Sequence, residues 1–198
     1  MTKRTIEILE EKNVYNGYTK VDEALIKDTL PDGKSSTYSR QKVRRPDAVA
    51  GLIYNTDTET IVLVKQYRYP TQSGKRTGFI YEAIAGKIDG DEDPKDAFIR
   101  ESLEEVGYKL KSKKVNYCFR CFMTPGYSTE KIYFYLAKAT NKDKVKNAGG
   151  GVEGEHENIE ICEFHYLQFR SMMDSMEDAK TKLLAYEAHY RKFFNKAQ

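Results

Sequence analysis

The chain has 198 residues, 39% hydrophobic and 12% aromatic, which is enough for one domain with a real core plus a small appendage and too apolar for a disordered segment. Its 33 basic and 30 acidic residues leave a formal charge of +3, too weak a balance to make nucleic acid or a membrane surface the main partner. No apolar run reaches the roughly 20 residues that span a bilayer. The start, Met1-Thr2-Lys3-Arg4, leads into an alternating segment with acids rather than an apolar signal region, so a cytoplasmic location is expected. Three cysteines with one close pair make a poor disulfide framework.

From Thr5 to Gln41 the pattern predicts short polar strands, with turns at Asn16-Gly17 and Pro31-Asp32-Gly33. Ala48 to Tyr54 is a short apolar run, Asn55 to Thr58 a turn, and Ile61-Val62-Leu63-Val64 a buried strand rich in branched side chains. A polar loop from Thr71 to Thr77 precedes a strand from Phe79 to Ala85. A helix follows over Asp93 to Val106, with Asp93 as N-cap, Pro94 in the first position and Gly107 as the stop. Val115 to Phe122, Lys131 to Ala137 and Ile159 to Tyr166 are further strands, and Asn141 to His156 is a polar, glycine-rich loop. The remainder is helical, most amphipathic from Ala179 to Phe194. Strands and helices mix without regular alternation. That pattern is α+β, or a layered α/β/α domain, and not a doubly wound parallel sheet.

The chemistry sits on the helix from Asp93. At roughly 100° per residue, Glu101, Glu104 and Glu105 share one face, while Ile99, Leu103 and Val106 are expected on the other. Clustered carboxylates repel, by roughly a few tenths of a kcal/mol per pair on an isolated helix. Arg100 relieves part of this through an i,i+4 pair with Glu104. Hard divalent cations, which take oxygen ligands, suit the rest, and Mg²⁺ typically uses one or two carboxylates plus substrate phosphates. A Glu-Glu pair alone is an ordinary solvated face. The glycine turn, the acid at Glu92, the capped helix and Arg-Glu-x-x-Glu-Glu-x-Gly together are too long a pattern to be casual.

Gly86, Glu92, Arg100, Glu101, Glu104, Glu105 and Gly107 stand at the spacing of the Nudix box, which the segment closely resembles. Ser102 replaces the usual aliphatic residue and Tyr108 ends the box; both read as packing positions. The resemblance implies a Nudix-type α/β/α sandwich with a mixed sheet over residues 45–198, preceded by a β-rich segment, residues 1–44, that serves dimerisation. It implies Glu101 and Glu105 as metal ligands with the Ala85 carbonyl, and Glu104 either as a ligand or held by Arg100. Glu92 is expected to tie the loop to the helix. The cofactor it implies is Mg²⁺ or Mn²⁺.

Beyond the box, Val64-Lys65-Gln66-Tyr67-Arg68, Thr124 to Glu130 and Asn147 to Glu153 resemble the ADP-ribose and GDP-mannose pyrophosphatase branch of that superfamily. The branch implies hydrolysis of a nucleoside diphosphate sugar to a nucleoside monophosphate and a sugar phosphate, usually by a homodimer. Arg45 and Arg68 are candidates for phosphate contact through their forked guanidinium groups. Tyr67, Tyr69 and Tyr127 are candidates for stacking, and Glu130 joins Tyr127 among the substrate-binding positions. Gly149-Gly150-Gly151 suggests a mobile loop that brings in Glu153, Glu155 and Glu157. The resemblance favours Glu155 as general base and Glu157 as an auxiliary or metal-linked acid. Two other readings remain open: a pyrophosphatase for a dinucleotide or nucleoside triphosphate, and a sensor that binds a nucleotide sugar without turnover. Cys118-Phe119-Arg120-Cys121 has the spacing of a redox or zinc half-site, but no second pair follows, and it reads as two packed thiols. His156, His165 and His189 form no ligand pattern.

Overall fold

The structure, a computed structural model, describes residues 3–152, 154 and 158–194. The chain forms two compact units. One holds Met1–Asp47 with Phe122–Lys131, the other Ala48–Cys121 with Ile132–Gln198.

In the first unit, β1 (Thr5–Asn16), β2 (Lys20–Thr29) and β3 (Ser35–Arg44) form an antiparallel sheet in that order. The strands are long, not short as the polar pattern suggested. Register shifts between Ile8 and Glu10 and between Asn13 and Tyr15 break the period-two alternation of β1. A bulge flips the phase of every side chain beyond it, so a long strand imitates several short ones. The 122–131 segment joins this unit through main-chain bonds. Val43 N–H donates to the Tyr127 carbonyl at 2.6 Å, and Thr129 N–H to the Val43 carbonyl at 3.1 Å.

The second unit is built on a seven-stranded mixed sheet. β4 (Ala48–Asn55) lies at its centre, buried along its whole length, as the apolar run required. β5 (Thr60–Tyr67) lies antiparallel on one side of β4, with β10 (Glu160–His165) beyond it. β9 (Lys131–Ala139) lies parallel on the other side, with β8 (Val115–Phe122) at the edge. The expected strand from Phe79 to Ala85 is in fact two. β6 (Phe79–Glu82) pairs with β5, and β7 (Ile84–Lys87) pairs with β4. The break at Ala83 is held from outside the sheet, where its N–H donates to Thr181 Oγ1 at 2.6 Å.

Among the described residues three helices flank the sheet: α1 (Pro94–Val106), α2 (Tyr166–Met172) and α3 (Ala179–Tyr190). α1 packs on one face. Its Phe98 stacks on Tyr135 of β9 at 5.5 Å within a core that includes Val49, Ile53, Val62 and Val106. α3 and Phe169 of α2 close the layer on the other face, and Phe169, Leu184, Ala185 and Ala188 are fully buried. Each fully buried large apolar side chain contributes about 1.5–3 kcal/mol. This is the α/β/α arrangement of an α+β domain. Among the described residues no helix is long and apolar enough to cross a membrane.

Candidate functional site

α1 begins where the sequence set it. Asp93 accepts from Lys95 N–H at 2.8 Å, Pro94 occupies the first turn, and Gly107 ends the helix in the left-handed conformation. The buried face differs from the expected one. Ala97, Phe98, Ser102, Glu105 and Val106 are buried, whereas Ile99 and Leu103 are only half-buried. Ser102 is fully buried and donates its hydroxyl to the Phe98 carbonyl at 2.6 Å, so a polar residue serves a packing position at no cost in unmet hydrogen bonds. Tyr108 is buried too, accepting from Asn55 Nδ2 at 3.0 Å.

This rotation places Glu105 at the margin of the core. Only 3% exposed, its carboxylate accepts from Ala85 N–H at 3.1 Å. Ala85 sits opposite Ala50 in the β4–β7 pair. Since the N–H and C=O of one strand residue point to the same edge, the Ala85 carbonyl shares the side that meets Glu105. Gly86, the next residue, is a close-approach position. A Cβ there would land on the Glu101 carboxylate, so glycine alone lets that carboxylate lie against the strand.

Arg100 organises the other acids. Its Nη1 donates to Glu101 at 2.8 Å and Glu104 at 2.9 Å, its Nε and Nη2 form a fork on Glu92 at 3.1 and 3.0 Å, and Nη2 also reaches the Lys87 carbonyl at 3.0 Å. Glu92 thereby ties the loop to the helix as expected, and Glu104 is held in its i,i+4 pair. The Arg100 hydrogen bonds hold the Glu92 carboxyl below its ordinary range, and the same bonds raise the guanidinium above its own. With Asp89 also at 3.7 Å, one cation thus serves four carboxylates, and a diphosphate approaching them bare would be repelled.

The depressed Glu92 value carries a pH signature. A carboxylate whose folded pKa is lowered contributes stability that is present above its unfolded pKa, about 4.3, and lost as pH falls through the folded value. Glu92→Gln is therefore expected to melt below the parent at pH 7. The gap should close as pH falls below about 4. Melting temperatures of both proteins across pH 3–7 check this; a gap that stays constant would contradict it.

Among the described residues no three carboxylate, imidazole or thiol side chains converge into a ready-made metal cage. The donor set nevertheless fits a hard cation. Two carboxylates four residues apart, Glu101 and Glu105, flank the Ala85 edge, and Gly86 leaves the space that Glu101 occupies. Mg²⁺ needs no more than one or two protein carboxylates when substrate phosphates complete its shell.

The glycine loop is built for fit rather than looseness. Gly149, Gly150 and Gly151 have φ of +95°, +98° and +92°, a region that other residues rarely enter. There Gly150 N–H donates to the Glu105 carbonyl at 2.8 Å and Gly151 N–H to the Glu104 carbonyl at 3.0 Å. The last carbonyls of α1 are satisfied by this loop. Ile159 N–H returns to the Gly150 carbonyl at 3.4 Å, so the chain leaves and rejoins the end of α1 at nearly the same point. Glu153, Glu155, His156 and Glu157, between those anchors, lie outside the described residues.

Arg68 extends from the end of β5 and is engaged within the second unit. Its guanidinium donates to buried Glu82 at 2.9 and 2.6 Å and to Gln66 at 2.7 Å. This partner was not legible in the sequence, since Glu82 ends a strand and is buried only by tertiary packing. Tyr67 and Tyr69 are exposed, and the Tyr67 hydroxyl bonds Gln72. Arg45, Tyr127 and Glu130 come together in the first unit. Arg45 Nε donates to Glu130 at 3.4 Å, Arg45 N–H donates to Thr129 Oγ1 at 2.9 Å, and Tyr127 is exposed. Cys118 and Cys121 are three residues apart on β8, hence on opposite faces, and they are free thiols. Burial pushes Cys118 up to about 11.

Comparison with known proteins identifies the family and the fold. The NUDIX domain family profile matches residues 44–185. The GDP-mannose pyrophosphatase of Escherichia coli (strain K12) is 34% identical over 182 residues, covering 90% of this chain and 92% of that protein. The protein of the same name in Shigella boydii serotype 4 is 33% identical over the same length and coverage. A solved structure described as an ADP compounds hydrolase superposes with a TM-score of 0.67 at 21% identity, covering 96% of this chain and 95% of that one. At that identity the likeness speaks for the fold.

Proposed function

The chain belongs to the NUDIX domain family, and from that premise we propose that it hydrolyses the pyrophosphate bond of a nucleoside diphosphate sugar of the GDP-mannose or ADP-ribose type, giving a nucleoside monophosphate and a sugar phosphate. The observation that supports this reading most is the carboxylate face of α1, fitted against Gly86 and Ala85 and only partly neutralised by a single arginine.

In this reading Glu101, Glu105 and the Ala85 carbonyl hold Mg²⁺ or Mn²⁺, and Glu104, now paired with Arg100, is the further ligand or a reserve acid. Held there, the cation would supply charge neutralisation for the diphosphate and polarisation of a phosphorus. Glu155 takes the proton from the attacking water, whose oxygen bonds to one phosphorus. The bridging P–O bond breaks, and its electron pair leaves on the phosphate oxygen. Glu157 assists as an auxiliary acid. The anchors at Gly151 and Ile159 support this, because Glu155 is four residues from Gly151 and so within about 14 Å of it. Arg45, Arg68, Tyr127 and Glu130 contact the substrate, with the arginines serving the phosphates.

The protein works as a cytoplasmic homodimer on a small-molecule substrate, without nucleic acid or membrane. β1 supports the dimer. It is an edge strand exposed along its whole length, with Ile6, Ile8, Val14 and Tyr15 uncovered, and such edges are normally paired or blunted.

Phosphate release from the products, with an added phosphatase, tests the metal requirement. EDTA should abolish it, and excess Mg²⁺ or Mn²⁺ should restore it. Undiminished hydrolysis in chelator would overturn the reading.

A further inference from the structure

A second site lies on the face of the sheet away from α1. Tyr135 of β9 stacks on Phe98 of α1, so the odd-numbered residues of β9 face that helix. Leu136 and Lys138, one residue out of phase, face the other way. They line a cleft of about 440 Å³ with Asn116 of β8 and Phe193, which follows α3. The other four lining residues are Lys113 and Lys114, from the 3-10 turn before β8, and Arg191 and Lys192. Five of the eight side chains are cationic, and none belongs to residues 86–108.

The charge is only partly matched. Lys114 pairs with Asp143 at 2.8 Å. Arg191 pairs with Glu187 at 2.5 Å and also donates to the Tyr117 and Cys118 carbonyls at 3.4 and 3.3 Å. Lys138 lies over the Phe193 ring at 5.2 Å. Among the described residues no carboxylate stands within ion-pair distance of Lys113, Lys138 or Lys192. Three positive charges therefore remain in one cleft, as many as the formal net charge of the whole chain. Lys192 is held there by a left-handed turn, φ +53°, that Lys192 and Phe193 N–H groups close onto the His189 and Ala188 carbonyls at 3.0 and 2.9 Å.

We propose that this cleft binds an oligophosphate, the phosphate chain of a small molecule carrying two or more phosphoryl groups, at a site separate from the candidate catalytic helix. Lysine ammonium groups are compact point charges that meet phosphate oxygens from many directions, and three of them match the charge of such a chain. The volume is that of a small-molecule site, and Phe193 provides an apolar wall. The cleft is a local depression bounded by eight residues rather than a groove that could track a long nucleic acid backbone.

Calorimetric titration of the full chain with inorganic tripolyphosphate in EDTA tests the proposal. Without divalent cations the acids of α1 repel phosphate, so the cleft is read alone. One saturable site per chain, with a Kd below about 1 mM, is expected. Lys113→Gln/Lys138→Gln/Lys192→Gln should weaken it at least about tenfold. Glu105→Gln should leave it unchanged, and the triple variant should keep its basal hydrolysis in Mg²⁺. If the triple variant melts early, Lys113→Gln/Lys192→Gln, which spares the Lys138–Phe193 contact, should show the same loss. Absence of saturable binding, equal affinity in the lysine variants, or tighter binding of a short oligonucleotide than of tripolyphosphate would each overturn the proposal. None of the binding results depends on whether a nucleotide sugar is hydrolysed.

Discussion

Glu105→Gln is expected to lower kcat by roughly 10²–10³-fold at saturating Mg²⁺ while the fold survives. The estimate follows from about 1.4 kcal/mol per tenfold in rate and the several kcal/mol that a bound metal supplies to a phosphoryl transition state. The substitution is conservative in shape. A glutamine oxygen still accepts from Ala85 N–H, so the junction of β7 and α1 is kept. The carboxylate it replaces is buried to 3% exposure near that of Glu101, and losing its charge relieves both desolvation and repulsion. The melting temperature without metal should therefore hold or rise as turnover collapses. Steady-state kinetics across a Mg²⁺ titration, beside a thermal melt, make the check. Near-parental kcat at saturating Mg²⁺ would mean that the metal is held elsewhere.

The helix behind that prediction was legible because its signals are local. Asp93, Pro94 and Gly107 act within a turn of themselves, and the Arg100–Glu104 pair is fixed by helical spacing alone. What escaped the sequence depends on distant partners. Ser102 was legible as a packing position, but the burial of Glu105 is compensated by the Ala85 N–H of a strand twenty residues away. The split of β6 from β7 reflects two different strand neighbours, and the length of β1 is masked by its bulges. Arg68 looked like a bare phosphate contact until the fold brought Glu82 and Gln66 to it. The glycines of 149–151 suggested slack. Their role is to let the loop reach the last carbonyls of α1, a close approach that depends on both segments.

Glu155→Gln is expected to reduce kcat by about 10²–10⁴-fold with little change in KM, the usual scale of a lost general base. Glu155 and Glu157 are two residues apart, so an extended chain would point both the same way. Glu157→Gln should be milder, or should shift the Mg²⁺ concentration needed for half-maximal rate. Glu153→Gln, two residues beyond the Gly151 anchor, should be mildest. The split between kcat and KM separates base from ligand: a base moves kcat at every Mg²⁺ concentration, whereas a ligand's defect is partly rescued by more metal. If Glu157→Gln proves far worse than Glu155→Gln, the base is misassigned although the reaction stands. If all three variants turn over normally, the loop is not catalytic, and Glu104 becomes the group to test.

The central claim is that the chain cuts between the two phosphates. The most direct test is to identify the products when the purified protein meets GDP-mannose, ADP-ribose, UDP-sugars and dinucleotides in Mg²⁺, resolved by chromatography or phosphorus NMR. With its best nucleotide sugar, equimolar nucleoside monophosphate and sugar 1-phosphate (ribose 5-phosphate from ADP-ribose) should accumulate, and none should form in EDTA. Release of a nucleoside diphosphate and free sugar, or saturable binding of the nucleotide sugars with no turnover of any substrate in the panel, would contradict the account.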